Sequence, residues 1–429
     1  MREAHAHLPM LGRSLAMLHV GHHTSVASLL DALSQEASRL DSSADSDWLL
    51  AVGLRVEGFS DDPPHRWPTR VQLDAVTSRP CCIMSFDHHS VVANTPAFAA
   101  AGIGLSDPDP PGGIMARDAR TGLASGVLFE SAAYAVWSAA PQPPESARPA
   151  QIIAALRHLS ELGYTEVHDL LSPQWLGPIL ARLIDQSELT MTVRLYAPLA
   201  ELEVHAAASS AWERGQQLLF AGGKVFADGT LNSGTAWMLE PYQNPLPSYP
   251  TGTALLSRQQ LADAMQRCYA LRLGLAVHAI GDGAVRATLD ARAQLHSAVR
   301  FNFVTHAGPF LRIEHCELID TLDTPRFAAM NAVASVQPCH LLTDIEVLRR
   351  QLPHRLHRVL PLRELIDNGC APGELLWFGS DVPIVPADPA DSLTAATVRG
   401  RSGTPRDSAI APEQSLTLQE CYLAFAAGR

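Results

Sequence analysis

This sequence of 429 residues lacks the markers of several specialised protein classes. Its seven cysteines include no C-x-x-C pair, so neither a disulfide framework nor a cysteine-ligated zinc site is indicated. It contains no uncharged apolar run of the roughly 18 residues that a membrane-spanning helix requires. The first residues, MREAHAHLPM, carry charges and histidines where a signal peptide has its apolar segment. We therefore expect a cytoplasmic protein with no membrane partner.

Positive charge is also scarce. The 32 lysines and arginines are outnumbered by 44 aspartates and glutamates, which gives a formal net charge of -12. Such a charge repels phosphate backbones and anionic lipid, and no basic patch offsets it, so we expect no nucleic-acid partner. Lysine itself is almost absent, because Lys224 is the only one in the chain.

The solitary Lys224 has more than one explanation. An amine can lose its proton and act as a nucleophile whereas a guanidinium cannot, so a single lysine can mark a position that needs amine chemistry. A codon bias that left one lysine by chance is the first alternative. An ordinary ion pair with Asp228 is the second.

Short apolar, β-prone segments alternate with longer amphipathic segments through the second half of the chain. The longer segments, such as QIIAALRHLSEL and RQQLADAMQRCYALR, have the apolar spacing of helices. This βαβα order predicts a parallel sheet with right-handed crossovers. The seven candidate strands are LGYTEVHDL (162–170), MTVRLYAPL (191–199), GGKVFADG (222–229), LGLAVHAIGD (273–282), FLRIEHCEL (310–318), AVASVQPCH (332–340) and ELLWFGSDVP (374–383).

Polar, chemically capable residues occupy the C-terminal ends of these strands. A doubly wound sheet would gather its ligand at one switch point, whereas polar groups at many successive strand ends are typical of the catalytic face of a (β/α)8 barrel. The predicted fold class is therefore α/β, a (β/α)8 TIM barrel with a large insertion after strand 1. The strand-end residues are His168, Asp169, Lys224, Asp228, His278, His315, Gln337, His340 and Asp381.

The barrel needs an eighth strand, for which the candidate is the segment that ends at His5-Ala6-His7. We expect residues 1–19 to be the remnant of barrel strand 1 and the loop after it. We expect residues 20–150 to be an insertion on the catalytic face, because turn-rich connectors such as DDPPHRWP break the barrel rhythm there. Residues 151–429 would then supply the remainder of the TIM barrel, with strands 2 to 8.

Histidines and a carboxylate at the strand ends indicate a shared metal site. His5 and His7 are two residues apart, so on a strand both imidazoles point to the same side. His278 and His315 each end an apolar strand, and Asp381 leaves a strand directly after Gly-Ser. Each feature alone has a structural explanation, namely a solvated terminus, a hydrogen-bonded histidine or a helix N-cap. Their occurrence together favours metal binding.

The motifs as a set resemble the amidohydrolase superfamily of metal-dependent hydrolases. Within it they are most similar to amidohydrolase family 3, the YtcJ-like or N-substituted formamide deformylase-like proteins. They occur in the order of the family across almost the whole chain. The motifs are HAH at 5, DHHSVVANTPA at 87, LGYTEVHDL at 162, GGKVFADGT at 222, HAIGDGA at 278, RIEHCELI at 312, VQPCHLLTD at 336 and GSDVPIVPADP at 379.

The resemblance implies a TIM barrel that holds two divalent metal ions in a binuclear zinc-type centre. Lys224 would act as a carboxylated lysine, a carbamate formed with CO2, whose two oxygens can each bind one metal. A metal-activated hydroxide would attack a carbonyl, and Asp381 would be the catalytic residue that passes the proton to the leaving nitrogen. The implied metal ligands are His5, His7, Lys224, His278, His315 and Asp381.

The activity that the resemblance implies is hydrolysis of a C–N bond other than a peptide bond. The bond would belong to an amide, N-formyl or N-acyl group of a small-molecule substrate, with the choice set by the shape of the pocket. Further motif residues are candidates for substrate binding, and each has loop stabilisation as its alternative. They are Asp87, His88, His89, Asn94, Asp228, Arg312, Gln337 and His340.

The sequence departs from the family at its ends, where the segments that form a flanking β-sandwich are missing. A truncated strand 1 would leave an open sheet edge and hold His5 and His7 by little backbone pairing. The alternatives are an upstream start, a second copy that covers the edge in a homodimer, or an impaired metal site. Two further functions therefore stay open: a truncated, catalytically weak barrel with a binding or regulatory role, and an isomerase that uses the same metal site without hydrolysis.

Overall fold

The computed structural model of the protein describes residues 1–42, 48–56, 59–61, 67–86, 90–245, 248–298 and 305–427. These residues form two compact units. One unit combines Met1–Pro9 with Ala155–Arg429, and the other is Met10–Ala154. Among the described helices, none combines the length and the apolar character needed to cross a membrane.

Strand β1 (Arg2–Ala6) opens the chain, and helix α1 (Leu8–Ser14) follows it. All residues of β1 are buried, and the strand pairs in parallel with the strand Glu166–Asp169. Little backbone pairing was expected for a truncated first strand, and the structure corrects that point, because the ladder hydrogen bonds of β1 hold it in the sheet.

The unit Met10–Ala154 contains a sheet of its own. Its further elements are β2 (Leu18–His19), α2 (Val26–Asp41), β3 (Leu49–Leu54), α3 (Arg70–Val76), β4 (Cys81–Ser85), β5 (Ser90–Ala93), α4 (Thr95–Ala100), β6 (Gly113–Arg117), β7 (Ala124–Glu130) and α5 (Ser131–Ala139). The strand order is β2-β3-β4-β5-β7-β6, parallel from β2 to β4 and antiparallel beyond. Cys81 and Ile83 pack in one hydrophobic cluster, and Cys82 and Met84 pack in another. Because successive side chains of a strand point to opposite faces, both faces of this sheet are covered.

The unit of Met1–Pro9 and Ala155–Arg429 has the predicted (β/α)8 architecture. Its strands after β1 are β8 (Glu166–Asp169), β9 (Thr192–Pro198), β10 (Leu218–Phe226), β11 (Gly274–Ala279), β12 (Leu311–His315), β13 (Ala332–Val336) and β14 (Leu376–Phe378). They form an eight-stranded parallel sheet in the order β1-β8-β9-β10-β11-β12-β13-β14. A parallel bridge between Ala6 and Val382 links the first strand to the segment after the last, which nearly closes the barrel.

Helices follow or flank these strands as the alternating sequence pattern predicts. They are α6 (Arg148–Glu161), α7 (Leu176–Asp185), α8 (Leu202–Ser209), α9 (Arg258–Ala270), α10 (Asp282–Ala298), α11 (Thr324–Ala329), α12 (His340–Gln351), α13 (Leu362–Asp367), α14 (Pro389–Val398) and α15 (Leu418–Ala424). Helix α9 begins at a capping box in which Ser257 and Gln260 satisfy each other's backbone N–H groups.

The apolar runs of the sequence become barrel strands because both faces of such a sheet are covered. Strands β11 and β12 are buried at every position. Each of the seven predicted strand segments contains an observed strand, although β10 begins four residues before the predicted start at 222. A Cβ atom on Gly222 would lie 1.8 Å from the carbonyl oxygen of Gly274. Glycine is therefore required at this point for β10 to pair closely with β11.

Candidate metal centre

His5 and His7 are buried at the carboxyl end of β1. The Nδ1 atom of His5 lies 2.8 Å from Oε2 of Glu314, and its Nε2 atom lies 3.3 Å from Oδ1 of Asp381. An imidazole that donates from Nδ1 to a carboxylate keeps its lone pair on Nε2. Burial lowers the pKa of His5 to about 4, so the ring is neutral at physiological pH. His5 can therefore offer Nε2 to a metal ion.

Asp381 follows β14 and places its carboxylate beside both of these histidines. Its Oδ1 atom lies 3.3 Å from Nε2 of His5 and 3.0 Å from Nε2 of His7. Burial alone would raise the pKa of Asp381, but the two histidines hold this pKa well below its ordinary value. The residue has a φ of 66°, in the left-handed region where a side chain is strained. Such strain is typical of residues kept in place for a function.

His278 and His315 occupy the ends of β11 and β12 and lie against each other. Their ring centroids are 4.4 Å apart, and the rings of His315 and His5 are 4.9 Å apart. One ligand atom from each of His5, His315 and Asp381 lies within 4.8 Å of the others, and all three residues are buried. Burial lowers the pKa of His278 to about 3 and that of His315 well below its ordinary value. The histidines are thus neutral, as metal ligands must be.

Lys224 lies on β10 with a buried amine that has no hydrogen-bond partner among the described residues. Burial lowers its pKa to about 8. The alternative of an ion pair with Asp228 is not realised, because the Asp228 carboxylate accepts three backbone hydrogen bonds instead. Their donors, at 2.8 to 3.0 Å, are Trp237, Ile280 and Gly281. The amine is therefore available for chemistry.

The unpartnered atoms around this centre test whether a metal ion would fit. Buried nitrogens without a hydrogen bond include Nδ1 of His7, Nζ of Lys224 and Nδ1 of His315. Leaving such a group unpaired costs about 1–3 kcal/mol. Imidazole nitrogens and carboxylate oxygens are the ligands that divalent zinc and related metals take in proteins. The donor set, its burial and its unpaired atoms all fit a divalent metal site.

A buried network behind His5 was not predicted. Glu314, which binds His5, also accepts hydrogen bonds from Nε and Nη2 of Arg312. Arg312 in turn lies 2.7 Å from Nδ1 of His168, whose Nε2 atom lies 2.7 Å from Glu166. Burial alone would raise the pKa of Glu314, but Arg312 and His5 hold this pKa well below its ordinary value. A carboxylate fixed in this way determines the orientation of His5.

The sequence did contain a signal for this network. Arg312 and Glu314 are two residues apart on β12, so their side chains point to the same side of the strand. The Arg312 side chain is fully buried. Its guanidinium forms hydrogen bonds with Glu314, His168 and Ser335. These contacts are those of a positioning residue, and the predicted contact of Arg312 with substrate stays a prediction.

Glu314→Gln is expected to weaken metal binding by about 10- to 100-fold, because the amide cannot supply the charge that orients His5. It should also lower the free energy of unfolding by about 3 kcal/mol, since Arg312 loses its counter-ion. Equilibrium metal titration and denaturant unfolding measure the two effects. Glu166→Gln is the matched control, because it removes a buried carboxylate at the far end of the network and should reduce stability alone. Native metal affinity in Glu314→Gln would contradict the positioning role.

Two other predicted substrate-binding residues, Asn94 and Asp228, are hydrogen-bonded to backbone groups. Asn94 caps α4 and bonds backbone groups of its own unit, at Cys81, Arg79 and Ala97. Asp228 accepts the backbone hydrogen bonds given above, and its Oδ1 atom also lies 3.7 Å from Nε2 of His278. Backbone contacts of this kind are what the alternative of loop stabilisation describes, and substrate binding by the two residues stays a prediction. Asp87 and His88, together with His89, lie outside the described residues.

Gln337 and His340 lie close to the candidate ligands. Nε2 of Gln337 is 3.2 Å from Nδ1 of His5, and Nδ1 of His340 is 3.4 Å from Oε1 of Glu317. Ligand atoms of His315, Glu317 and His340 also lie within 4.8 Å of one another. Burial alone would lower the pKa of His340, but the nearby Glu317 carboxylate raises this pKa to about 9. Gln337 and His340 stay candidates for substrate binding, and Glu317, two residues after His315, was missed.

Comparisons with known proteins agree with this geometry. The profile of the amidohydrolase family matches residues 1–428. The relative named "Putative amidohydrolase YtcJ" from Bacillus subtilis (strain 168) is 28% identical over 435 residues, covering 99% of this chain and 78% of the relative. The N-substituted formamide deformylase of Arthrobacter pascens is 24% identical over 400 residues, covering 89% and 70%.

Two crystal structures share the fold. An uncharacterized metal-dependent hydrolase from Pyrococcus furiosus is 25% identical with a TM-score of 0.69, covering 96% of this chain and 79% of its own. The corresponding protein from Pyrococcus horikoshii OT3 is 24% identical with a TM-score of 0.73, covering 98% and 78%.

Proposed function

The chain belongs to the amidohydrolase family, and from that premise we propose that it cleaves a C–N bond other than a peptide bond in a small-molecule substrate. The substrate would be an amide, an N-formyl amine or an N-acyl amine. The observation that carries the proposal is the convergence of the His5, His315 and Asp381 ligand atoms within 4.8 Å. The relative named as an N-substituted formamide deformylase makes N-formyl amines the first class to test.

The strand-end ligands would hold two divalent ions, for which zinc is the proposed metal. When bound, such ions polarise a substrate carbonyl and lower the pKa of water toward neutrality. Lys224 would join the site as a carbamate: its Nζ atom forms a bond to the carbon of CO2, and one proton is released. The pKa of about 8 favours this step, because the neutral amine supplies the electron pair. The proposed ligands are His5, His7, Lys224, His278, His315 and Asp381.

Asp381 has the role of moving the proton. Its carboxylate is ionised, because His5 and His7 hold its pKa low. As the oxygen of the attacking water bonds to the carbonyl carbon, Asp381 accepts the proton that the water releases. It then delivers that proton to the nitrogen as the C–N bond breaks, since an amine leaves readily only when protonated. The products are a carboxylic acid and an amine.

The structure bears differently on the two alternative functions. A catalytically weak, truncated barrel was suggested by the expected loss of strand 1, and the pairing of β1 with β8 removes that reason. An isomerase would use the same ligands but would release no amine. Product analysis therefore separates hydrolysis from isomerisation.

The direct experiment combines metal analysis with a substrate screen. We expect the purified protein to retain divalent metal through gel filtration and to release amine from members of an N-formyl and N-acyl amine panel. A chelator should abolish this release, and added zinc should restore it. A metal-loaded, folded protein that releases no amine from the panel would contradict the proposal.

A pair of histidine variants provides the control for that experiment. His315→Ala removes a ligand and should abolish both metal retention and turnover. His306 belongs to the same unit but is half-exposed and lies 3.6 Å from Glu213, away from the ligand cluster. His306→Ala should therefore keep native metal content and activity.

A further inference from the structure

Strand β10 ends in a large apolar residue that is open to solvent. Every position of β10 is buried except the last, Phe226, which is 41% exposed. A single exposed apolar residue on an ordinary surface needs no explanation. Phe226, however, lies at the carboxyl end of a barrel strand, where the proposed metal ligands are. Its position relative to those ligands therefore decides what it can do.

Phe226 projects from the same face of β10 as Lys224. Side chains of a strand alternate between its two faces, so residues two positions apart share a face. Gly223 is on the other face, where an added Cβ atom would lie 3.4 Å from Sγ of Cys268 on helix α9. That face of β10 packs against the helices around the barrel. Lys224 and Phe226 therefore point to the opposite side, toward the candidate metal centre.

The Phe226 ring packs against two of the proposed metal ligands. Its centroid lies 5.2 Å from Nζ of Lys224 and 5.1 Å from the centroid of the His278 ring. Phe226 and His278 are also opposite each other in the register of β10 and β11. The phenyl ring offers no ligand atom for a metal ion. It thus forms an apolar surface beside the ligands, and part of that surface stays accessible.

We propose that Phe226 is a specificity-determining residue that selects substrates with an aromatic ring next to the C–N bond. This inference rests on the proposed function, because it requires the substrate carbonyl to be held at the metal ligands. A ring carried by that substrate would pair with the Phe226 ring and cover apolar surface that is now exposed. In an N-formyl amine the carbonyl carbon bears only hydrogen, so the nitrogen would carry the aromatic group.

Benzylphosphonate and methylphosphonate are the probes for this role. Both offer phosphonate oxygens to a metal ion, neither contains a C–N bond, and only the first has a phenyl ring. We expect the zinc-loaded protein to bind benzylphosphonate at least about tenfold more tightly in titration calorimetry, because the ring is buried against Phe226.

Three variants test whether Phe226 causes this preference. Phe226→Ala should remove the preference and keep native zinc content, because the lost ring is not a ligand. Phe226→Leu should keep part of the preference, since leucine retains an apolar surface. Tyr422→Ala is the matched control: it removes an aromatic residue that is 56% exposed on helix α15, and it should keep the full preference.

The outcomes separate this inference from the proposed function. A preference for benzylphosphonate that is lost in Phe226→Ala would support the role of Phe226, even if no member of the amine panel were hydrolysed. Equal affinity of the native protein for the two phosphonates, or no binding of either, would overturn the role. An unchanged preference in Phe226→Ala would overturn it as well. Loss of zinc from Phe226→Ala, with equal weakening of both phosphonates, would make Phe226 a structural support for Lys224 instead.

Discussion

Lys224→Arg is expected to remove one of the two proposed metal ions and nearly all hydrolytic activity. The native amine is buried, has no hydrogen-bond partner among the described residues and has a pKa lowered to about 8 by burial. A neutral amine can bond to CO2, whereas a guanidinium stays protonated and cannot. Arginine therefore preserves the positive charge but cannot form the proposed carbamate. We expect the rate to fall by at least about three orders of magnitude.

The measurements for this variant are metal stoichiometry, turnover of the best substrate of the screen, and intact mass in bicarbonate. The native protein should carry the additional mass of one CO2, and the variant should not. Lys224→Ala leaves space beside the ligands, so added propionate should restore part of its metal content by supplying a carboxylate. The same addition should not rescue Lys224→Arg. A Lys224→Arg protein with two metals and native turnover would rule out the carbamate.

Asp381→Asn is expected to keep the fold and to lower kcat by about 10²- to 10⁴-fold, the effect of losing an essential proton-transfer group. Asparagine has nearly the same shape as aspartate but cannot accept the proton of the attacking water. Because Asp381 is also a proposed ligand, metal content must be measured together with kcat and KM. A variant loaded with excess metal that still turns over slowly would isolate the proton-transfer role.

Asp323→Asn is the matched control for this loss of a buried carboxylate. Asp323 is almost fully buried and accepts hydrogen bonds from Arg286 and Arg326 at 2.8 and 2.7 Å. Its replacement should lower stability but leave kcat and metal content unchanged, because it touches none of the proposed ligands. Native turnover in Asp381→Asn would exclude Asp381 from the mechanism.

The barrel could be predicted from the sequence because its rules are local. A strand covered on both faces becomes a continuous apolar run, and the crossover helices have their own periodicity. Parallel strands share one edge at their carboxyl ends, so polar residues placed there by sequence are brought together in space. For this reason His278 and His315 were expected to lie close together, although 37 positions separate them in the sequence. Their ring centroids are 4.4 Å apart.

Other features depended on contacts that no local pattern encodes. Little backbone pairing was expected for the first strand, yet β1 pairs with β8, and just after β14 Asp381 donates its backbone N–H to the carbonyl of His5. Arg312 was a candidate for substrate binding in the sequence, and only the tertiary structure shows that its guanidinium donates hydrogen bonds to Glu314.

The sequence by itself thus determined the order of elements, the solitary lysine and the set of residues at the strand ends. The tertiary structure decided which of those residues face one another and which are already bonded elsewhere. Asp228 illustrates the difference. From the sequence its carboxylate was a candidate partner for Lys224, whereas in the structure it accepts hydrogen bonds from three backbone N–H groups. Hydrogen bonding and burial are properties of neighbours in space, and packing brings those neighbours from distant parts of the chain.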